Sequence, residues 1–176
     1  MLLLHGLNAH SGTWSKNIPI LSTSFHVLAP SLPPWRGTTK DLDVTQYVKS
    51  LEEFLTLLDL GRMTVVGNSM GGMIAMEIAA RKPESVGALV LEDSVLDSRT
   101  ESLVTEKINE SEIPVLIIWG REDKIIPLKV GERIHSKLKK SSLVILEDTG
   151  HVPHWEKPEV FNNLILDFQN SARNPK

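Results

Sequence analysis

The 176-residue chain has no cysteine, which excludes a disulfide framework and a thiol nucleophile. It has no basic surplus either. Nineteen Lys and Arg against 22 Asp and Glu give a formal net charge of −3, and the cations are scattered, so neither nucleic acid nor an anionic membrane is expected as a partner. No apolar run approaches the roughly 20 residues of a membrane span. The Leu-Leu-Leu after Met1 lacks the basic start and small-residue cleavage site of a signal peptide, so a cytoplasmic location is expected. No repeat or low-complexity linker divides the chain, and 41% hydrophobic content fits one domain over residues 1–176 with a sizeable core. Association into a homo-oligomer is left open.

What the chain does contain is organised around Met63-Thr64-Val65-Val66-Gly67-Asn68-Ser69-Met70-Gly71-Gly72. The apolar, β-branched start reads as a buried strand, and Met70 to Arg81 reads as a helix that Pro83 stops. Between them Gly67-x-Ser69-x-Gly71 predicts a sharp strand-to-helix turn. Side chains at 67 or 71 would collide with neighbouring backbone, and the turn lifts the serine hydroxyl out of the sheet. The Met70 amide then lies at a helix N-terminus, where anions bind well.

Further strands are expected at Met1–Leu4, Phe25–Ala29, Gly87–Leu91, Pro114–Trp119 and Leu143–Leu146. Helices are expected over Gly12–Leu21, interrupted at Pro19, and over a segment carrying Val44, Val48, Leu51, Leu55 and Leu58, capped by Asp43 and ended by Gly61. Two more start at Pro127, with Val130, Ile134 and Leu138 on one face, and at Pro158, burying Val160, Phe161, Leu164, Ile165 and Phe168. Strands alternating with amphipathic helices imply an α/β fold with a mostly parallel, six-stranded sheet and helices on both faces. Its chemistry belongs at the carboxyl ends of the strands.

Those ends carry Ser69, Asp123 in Gly120-Arg121-Glu122-Asp123, and His151 in Asp148-Thr149-Gly150-His151. A serine hydroxyl becomes a useful nucleophile when a histidine, oriented by a carboxylate, takes its proton. The first strand ends in His5-Gly6-Leu7, whose turn could aim the Leu7 amide at the same point as the Met70 amide, making an oxyanion hole. Asp93, at the end of the fourth strand, is the competing acid. His5 reads as a turn-stabilising residue, and His10, His26 and His135 carry no assigned role. Without a His-Glu-x-x-His helix or a cysteine pair, no metal is expected despite His154 and Asp148 flanking His151.

Taken in order, His5-Gly6-Leu7, Gly67-Asn68-Ser69-Met70-Gly71-Gly72, Gly120-x-x-Asp123 with Pro127, and Gly150-His151 with Glu156 and Pro158 resemble the α/β-hydrolase superfamily over nearly the whole chain. The resemblance implies an acyl-transfer hydrolase without a cofactor: Ser69 as nucleophile, Asp123 as acid, His151 as base, Leu7 and Met70 as amide donors. The chain departs from the family in starting on the His-Gly strand, without the usual N-terminal hairpin. It also has only Ser94–Glu112, a short cap remnant, where many members carry several helices. The expected site is open, with Trp35, Leu96, Ile126 and Val152 as candidate lining residues and Trp14 and Trp155 as further aromatic candidates. A carboxylesterase, lipase or polyester hydrolase acting on a small-molecule ester is the first reading. Serine at the turn argues against dehalogenase and epoxide-hydrolase chemistry. A cofactor-free perhydrolase, an amidase, thioesterase or carbon–carbon hydrolase, and a small-molecule receptor built on the same fold are the alternatives.

Overall fold

The computed structural model describes residues 1–32, 44–58 and 60–173. In chain order the elements are β1 (Leu2–Leu4), a 3-10 turn (Ser11–Lys16), α1 (Ile18–Leu21), α2 (Val44–Leu58), β2 (Met63–Asn68) and α3 (Met70–Arg81). After a short 3-10 turn come β3 (Val86–Glu92), α4 (Glu101–Glu110), β4 (Val115–Gly120), α5 (Leu128–Lys137), β5 (Ser141–Leu146), α6 (Pro153–Glu156) and α7 (Pro158–Arg173). The strands form one five-stranded sheet in the order β1-β2-β3-β4-β5, and every pairing is parallel.

Side chains alternate across a strand with a period of two, so each strand feeds two cores. Leu2, Leu4, Val65, Leu89, Leu91, Val115, Ile117 and Trp119 point to one face, where α2, α3, α4 and α5 cover them. Leu3, Val66, Val90, Leu116, Ile118 and Leu146 point to the other, against Trp14, Leu21, Phe161 and Ile165. Both faces being dry explains why the central strands read as continuous apolar runs.

Five strands stand where six were expected. Phe25–Ala29 lies alongside β1 but makes one parallel bridge, Leu28 to Leu2, closed by Leu3 N–H to Leu28 O and Leu28 N–H to Met1 O, both 2.8 Å. Its neighbour β1 is three residues long and Pro30 has no N–H to continue the ladder, so the pairing stops there. The Gly12–Leu21 helix divides at Asn17, with Pro19 accommodated in the first turn of α1. Ser94–Glu112 contains α4, whose Val104 and Ile108 pack into the core beside α3. The buried Glu101 carboxylate ties this helix to α5 through Arg133 and Lys137. Leu58 and Val160, expected on buried faces, are exposed at 39% and 43%. Asp43 lies outside the described residues, among which no helix is long and apolar enough to cross a membrane.

The strand-to-helix turn depends on backbone approaching backbone. A Cβ on Gly67 would run into the carbonyl of Gly71, and one on Gly71 into the carbonyl of Leu4. Neither neighbour can rotate away. Gly67→Ala should therefore cost about 3 kcal/mol or more, within the range of severe packing mutations. Gly87→Ala, whose added carbon meets its nearest neighbour at 3.6 Å, should change stability by less than about 1 kcal/mol. Urea unfolding of the two variants checks the contrast.

Candidate active site

Because the sheet is wholly parallel, the loops carrying His5, Ser69, Asp93, Asp123 and His151 all leave it at one edge. Ser69 sits between β2 and α3 with φ 53° and ψ −116°, a conformation a non-glycine residue holds only where its surroundings impose it. The surroundings do so: its N–H donates to Glu92 O at 2.9 Å, and its carbonyl receives Gly72 N–H at 3.0 Å and Val95 N–H at 3.2 Å. Met70 opens α3, so its amide is among the first four of a helix, which have no partner within it.

The Asp123 carboxylate is buried in the turn after β4. Its Oδ1 accepts the N–H groups of Ile125 (2.7 Å) and Ile126 (3.0 Å), which fixes the plane of the group. Its Oδ2 is 2.7 Å from His151 Nδ1. An ionised carboxylate is an acceptor, so Nδ1 carries the hydrogen and Nε2 is left with a lone pair. The histidine loop is clamped on two sides: Glu156 accepts Gly150 N–H (2.9 Å) and Val152 N–H (3.2 Å), and Asn68 Nδ2 donates to His151 O at 3.0 Å.

Ser69 and His151 share the wall of a cleft of about 440 Å³ with Gly6, Leu7, Ala9, Asn68, Met70, Met73, Val95, Ile125, Ile126 and Val152. Of the expected lining residues, Ile126 and Val152 are there. Leu96 is not: it packs against the core, and Val95 faces the cleft in its place. Trp35 lies outside the described residues. Trp14 is fully buried with its ring 4.2 Å from that of His154, and Trp155 is exposed under Lys16. Leu7 and Met70, the expected amide donors, both line the cleft.

The remaining histidines divide as their surroundings dictate. His5 is buried, with Nε2 accepting Leu32 N–H at 2.9 Å and Nδ1 facing Gly6 O at 2.8 Å. Burial pulls its pKa below the ordinary histidine value, the Gly6 carbonyl opposes that, and His10 adds a smaller lowering. His10 accepts Gly12 N–H and caps the 3-10 turn. His154, which sequence reasoning considered only as a metal ligand, is buried against Glu92 and bridges to Thr13.

Asp93 does not touch His151 as the competing acid would have to. Its Oδ1 accepts Gly120 N–H at 3.0 Å and its Oδ2 has no donor. Burial above all, then the charge of Glu92, raises its pKa to about 10; the Gly120 amide works against this, and Asp123 adds to it. Donor atoms of Asp93, Asp123 and His151 lie within 4.8 Å of one another. Of these, Asp123 and His151 are in direct contact at 2.7 Å.

Sequence reasoning missed Asn68 and Glu92 because nothing in the local pattern marks them; each acts on a loop more than 60 residues away. Glu156 was visible as part of a motif, but its two amide contacts were not.

Comparison with known proteins bears on this arrangement. Residues 1–107 and 96–158 match the family described as alpha/beta hydrolase fold. A 2-hydroxy-6-oxononadienedioate/2-hydroxy-6-oxononatrienedioate hydrolase of Pseudomonas putida is 26% identical over 251 residues, covering 96% of this chain and 86% of that protein. Rat monoacylglycerol lipase ABHD6 is 21% identical, covering 99% of this chain and 76% of that protein. Both alignments are longer than the 176-residue chain, so these relatives carry stretches it lacks. MGS-MChE2, an alpha/beta hydrolase from the metagenome of sediments of the Mar Chica lagoon in Morocco, superposes with a TM-score of 0.84 at 24% identity, covering 98% of this chain and 91% of that one. The turn at Ser69, the parallel sheet and the family match lead to one assignment: the chain belongs to the α/β hydrolases.

Proposed function

We propose that the protein is a serine hydrolase that cleaves carboxylic esters through an acyl-Ser69 intermediate. The observation that carries this reading is the 2.7 Å contact between Asp123 Oδ2 and His151 Nδ1 at the wall of the cleft that also holds Ser69. With Nδ1 committed to the carboxylate, His151 Nε2 takes the Ser69 proton as Oγ attacks the ester carbonyl carbon. The carbonyl oxygen becomes an anion, received by the Leu7 and Met70 amides, each worth on the order of 3 kcal/mol of barrier. Collapse of this intermediate breaks the carbon–oxygen bond, and His151 returns its proton to the departing alcohol. Water, deprotonated by the same nitrogen, then releases the acid.

The described walls are apolar apart from Asn68, Ser69 and His151, which suits an uncharged acyl chain. The Pseudomonas putida relative motivates a second reading, hydrolysis of a dioate. Two carboxylates would have to enter those apolar walls, so the ester reading is preferred. We read the whole chain as one hydrolase domain in which Ser94–Thr100, leading into α4, is the part of the short cap remnant left near the cleft. A tail longer than the cleft would then lie along Ile125, which is 66% exposed.

Ser69→Ala should lower kcat by roughly 10⁴ to 10⁶ while the fold survives, and Asp123→Asn by about 10⁴. Mass spectrometry of the wild type quenched during turnover of a chromogenic ester should show one acyl group on Ser69. A tenth of the activity surviving in purified Ser69→Ala would rule the assignment out.

Selectivity follows from reading the cleft as open beneath the short cap remnant. Methylenes beyond its walls are only partly desolvated, so each contributes less than the roughly 1–3 kcal/mol of an enclosed pocket. kcat/KM over soluble p-nitrophenyl esters of increasing acyl length should change gradually. A step above about a hundredfold between adjacent short-chain esters would mean a closed, size-limited pocket.

A further inference from the structure

Three carboxyl groups crowd the ends of β3 and β4, and two imidazoles face them. Glu92, fully buried, accepts His154 N–H at 2.7 Å and lies 2.8 and 2.9 Å from His154 Nδ1. Asp123 has the Ile125 and Ile126 amides on one oxygen and His151 on the other. Asp93 is the third, equally buried, and the His151 imidazole, within 4.8 Å of it, is bonded to Asp123 instead. One amide, from Gly120, reaches its Oδ1, and its Oδ2 is sealed from solvent without a donor.

An anion on Asp93 would be dry, unpartnered at one oxygen and next to two carboxylates whose imidazoles are already engaged. A proton on Oδ2 removes all three penalties together, because the orphan acceptor becomes a donor and the neighbouring Asp123 supplies the acceptor. Of the groups packed around it, Glu92 on β3 opposes ionisation, the Gly120 amide favours it, and Asp123 after β4 opposes it further. His151 and His154 each serve a different carboxylate.

We propose that Asp93 works as an uncharged acid whose Oδ2–H donates to the Asp123 carboxylate, a positioning residue that holds the Asp123 rotamer and draws charge from it. The catalytic consequence rests on the ester-hydrolase reading; the protonation does not. A donor on Asp123 draws charge from it and so weakens its attraction for a positive charge on the His151 ring. Removing that donor moves the acid limb of the kcat/KM profile upward. Removing an ionised Asp93 would move it downward.

The first arm of the test needs no substrate. The folded pKa of Asp93, about 10, stands above its ordinary value of 3.8. Between the two the folded chain holds a proton that the unfolded chain releases, so stability contributed by this group falls as pH rises. The folding constant loses up to about tenfold per pH unit. Asp93→Asn has no proton to release. The ratio of its folding constant to that of the wild type, from urea unfolding at pH 5 to 9, should therefore climb with pH. A flat or falling ratio overturns the protonation.

The second arm is kinetic. Asp93→Asn retains an uncharged donor and should keep the wild-type acid limb and kcat/KM within about threefold, whereas Asp93→Leu should lose about ten- to a hundredfold, the worth of one hydrogen bond to a charged group, with its limb displaced upward. A limb displaced downward, or Asp93→Asn as damaged as Asp123→Asn, overturns the positioning role. Asp93→Asn carries this arm alone where Asp93→Leu does not fold. Absence of any hydrolysis by the wild type would sink the ester reading and leave the stability arm to decide on Asp93.

Discussion

Backbone packs directly against backbone where β2 turns into α3 at the end of β1. At Gly67, Gly71 and Leu4 the chain approaches itself so tightly that no side chain fits at either glycine. This contact sets the angle at which α3 leaves the sheet, and with it the strained conformation of Ser69. A residue with φ 53° would relax in a looser turn. Here the amides of Ser69, Gly72 and Val95 all bond so as to hold it, and two of the partners, Glu92 O and Val95 N–H, come from the chain at the end of β3.

A serine presented in this way is useful only if the loops after β4 and β5 arrive in register with it, and polar contacts spread over the chain accomplish that. Asn68, one residue before the serine, holds the His151 carbonyl, so the Ser69 turn and the histidine loop are tied to each other. Glu156 closes the same loop on itself through two amides. Beneath it, Glu92 at the end of β3 receives both N–H groups of His154, whose other ring nitrogen reaches Thr13 on the far side of the first loop. Asn17 adds bonds to His154 O and Asn162. The first loop is thus tied through His154 to one buried carboxylate, where low dielectric makes each satisfied bond stronger and each unsatisfied one costly.

The alternation of apolar runs with amphipathic segments was legible because two-sided burial writes itself into consecutive residues of β2, β3 and β4. The turn at Ser69 was legible because its steric demand selects glycines at fixed offsets. Phe25–Ala29 reads as a strand by composition, but ladder length depends on the partner, and β1 offers three residues. Ser94–Glu112 looks polar because α4 buries one narrow stripe, including Glu101 paired with Arg133 and Lys137. A buried charge whose partners lie on α5 cannot be told from a surface charge by local pattern. The same holds for Glu92 and Asp93, adjacent in sequence and alike in chemistry, which differ in what the fold brings to them.

That difference follows from strand geometry. Glu92, the last residue of β3, points to the α7 side of the sheet, where α6 delivers His154. Asp93, one residue on and at φ 41°, turns toward β4 and meets the Gly120 amide and the rear of the Asp123 turn. The chain leaves its extended path at Asp93, so two neighbouring carboxyls are sent to opposite surroundings. One finds an imidazole and the other an anion. Ser69, His151 and Asp123 therefore stand in front of a second layer of carboxyls, whose surroundings are set by where β3 ends.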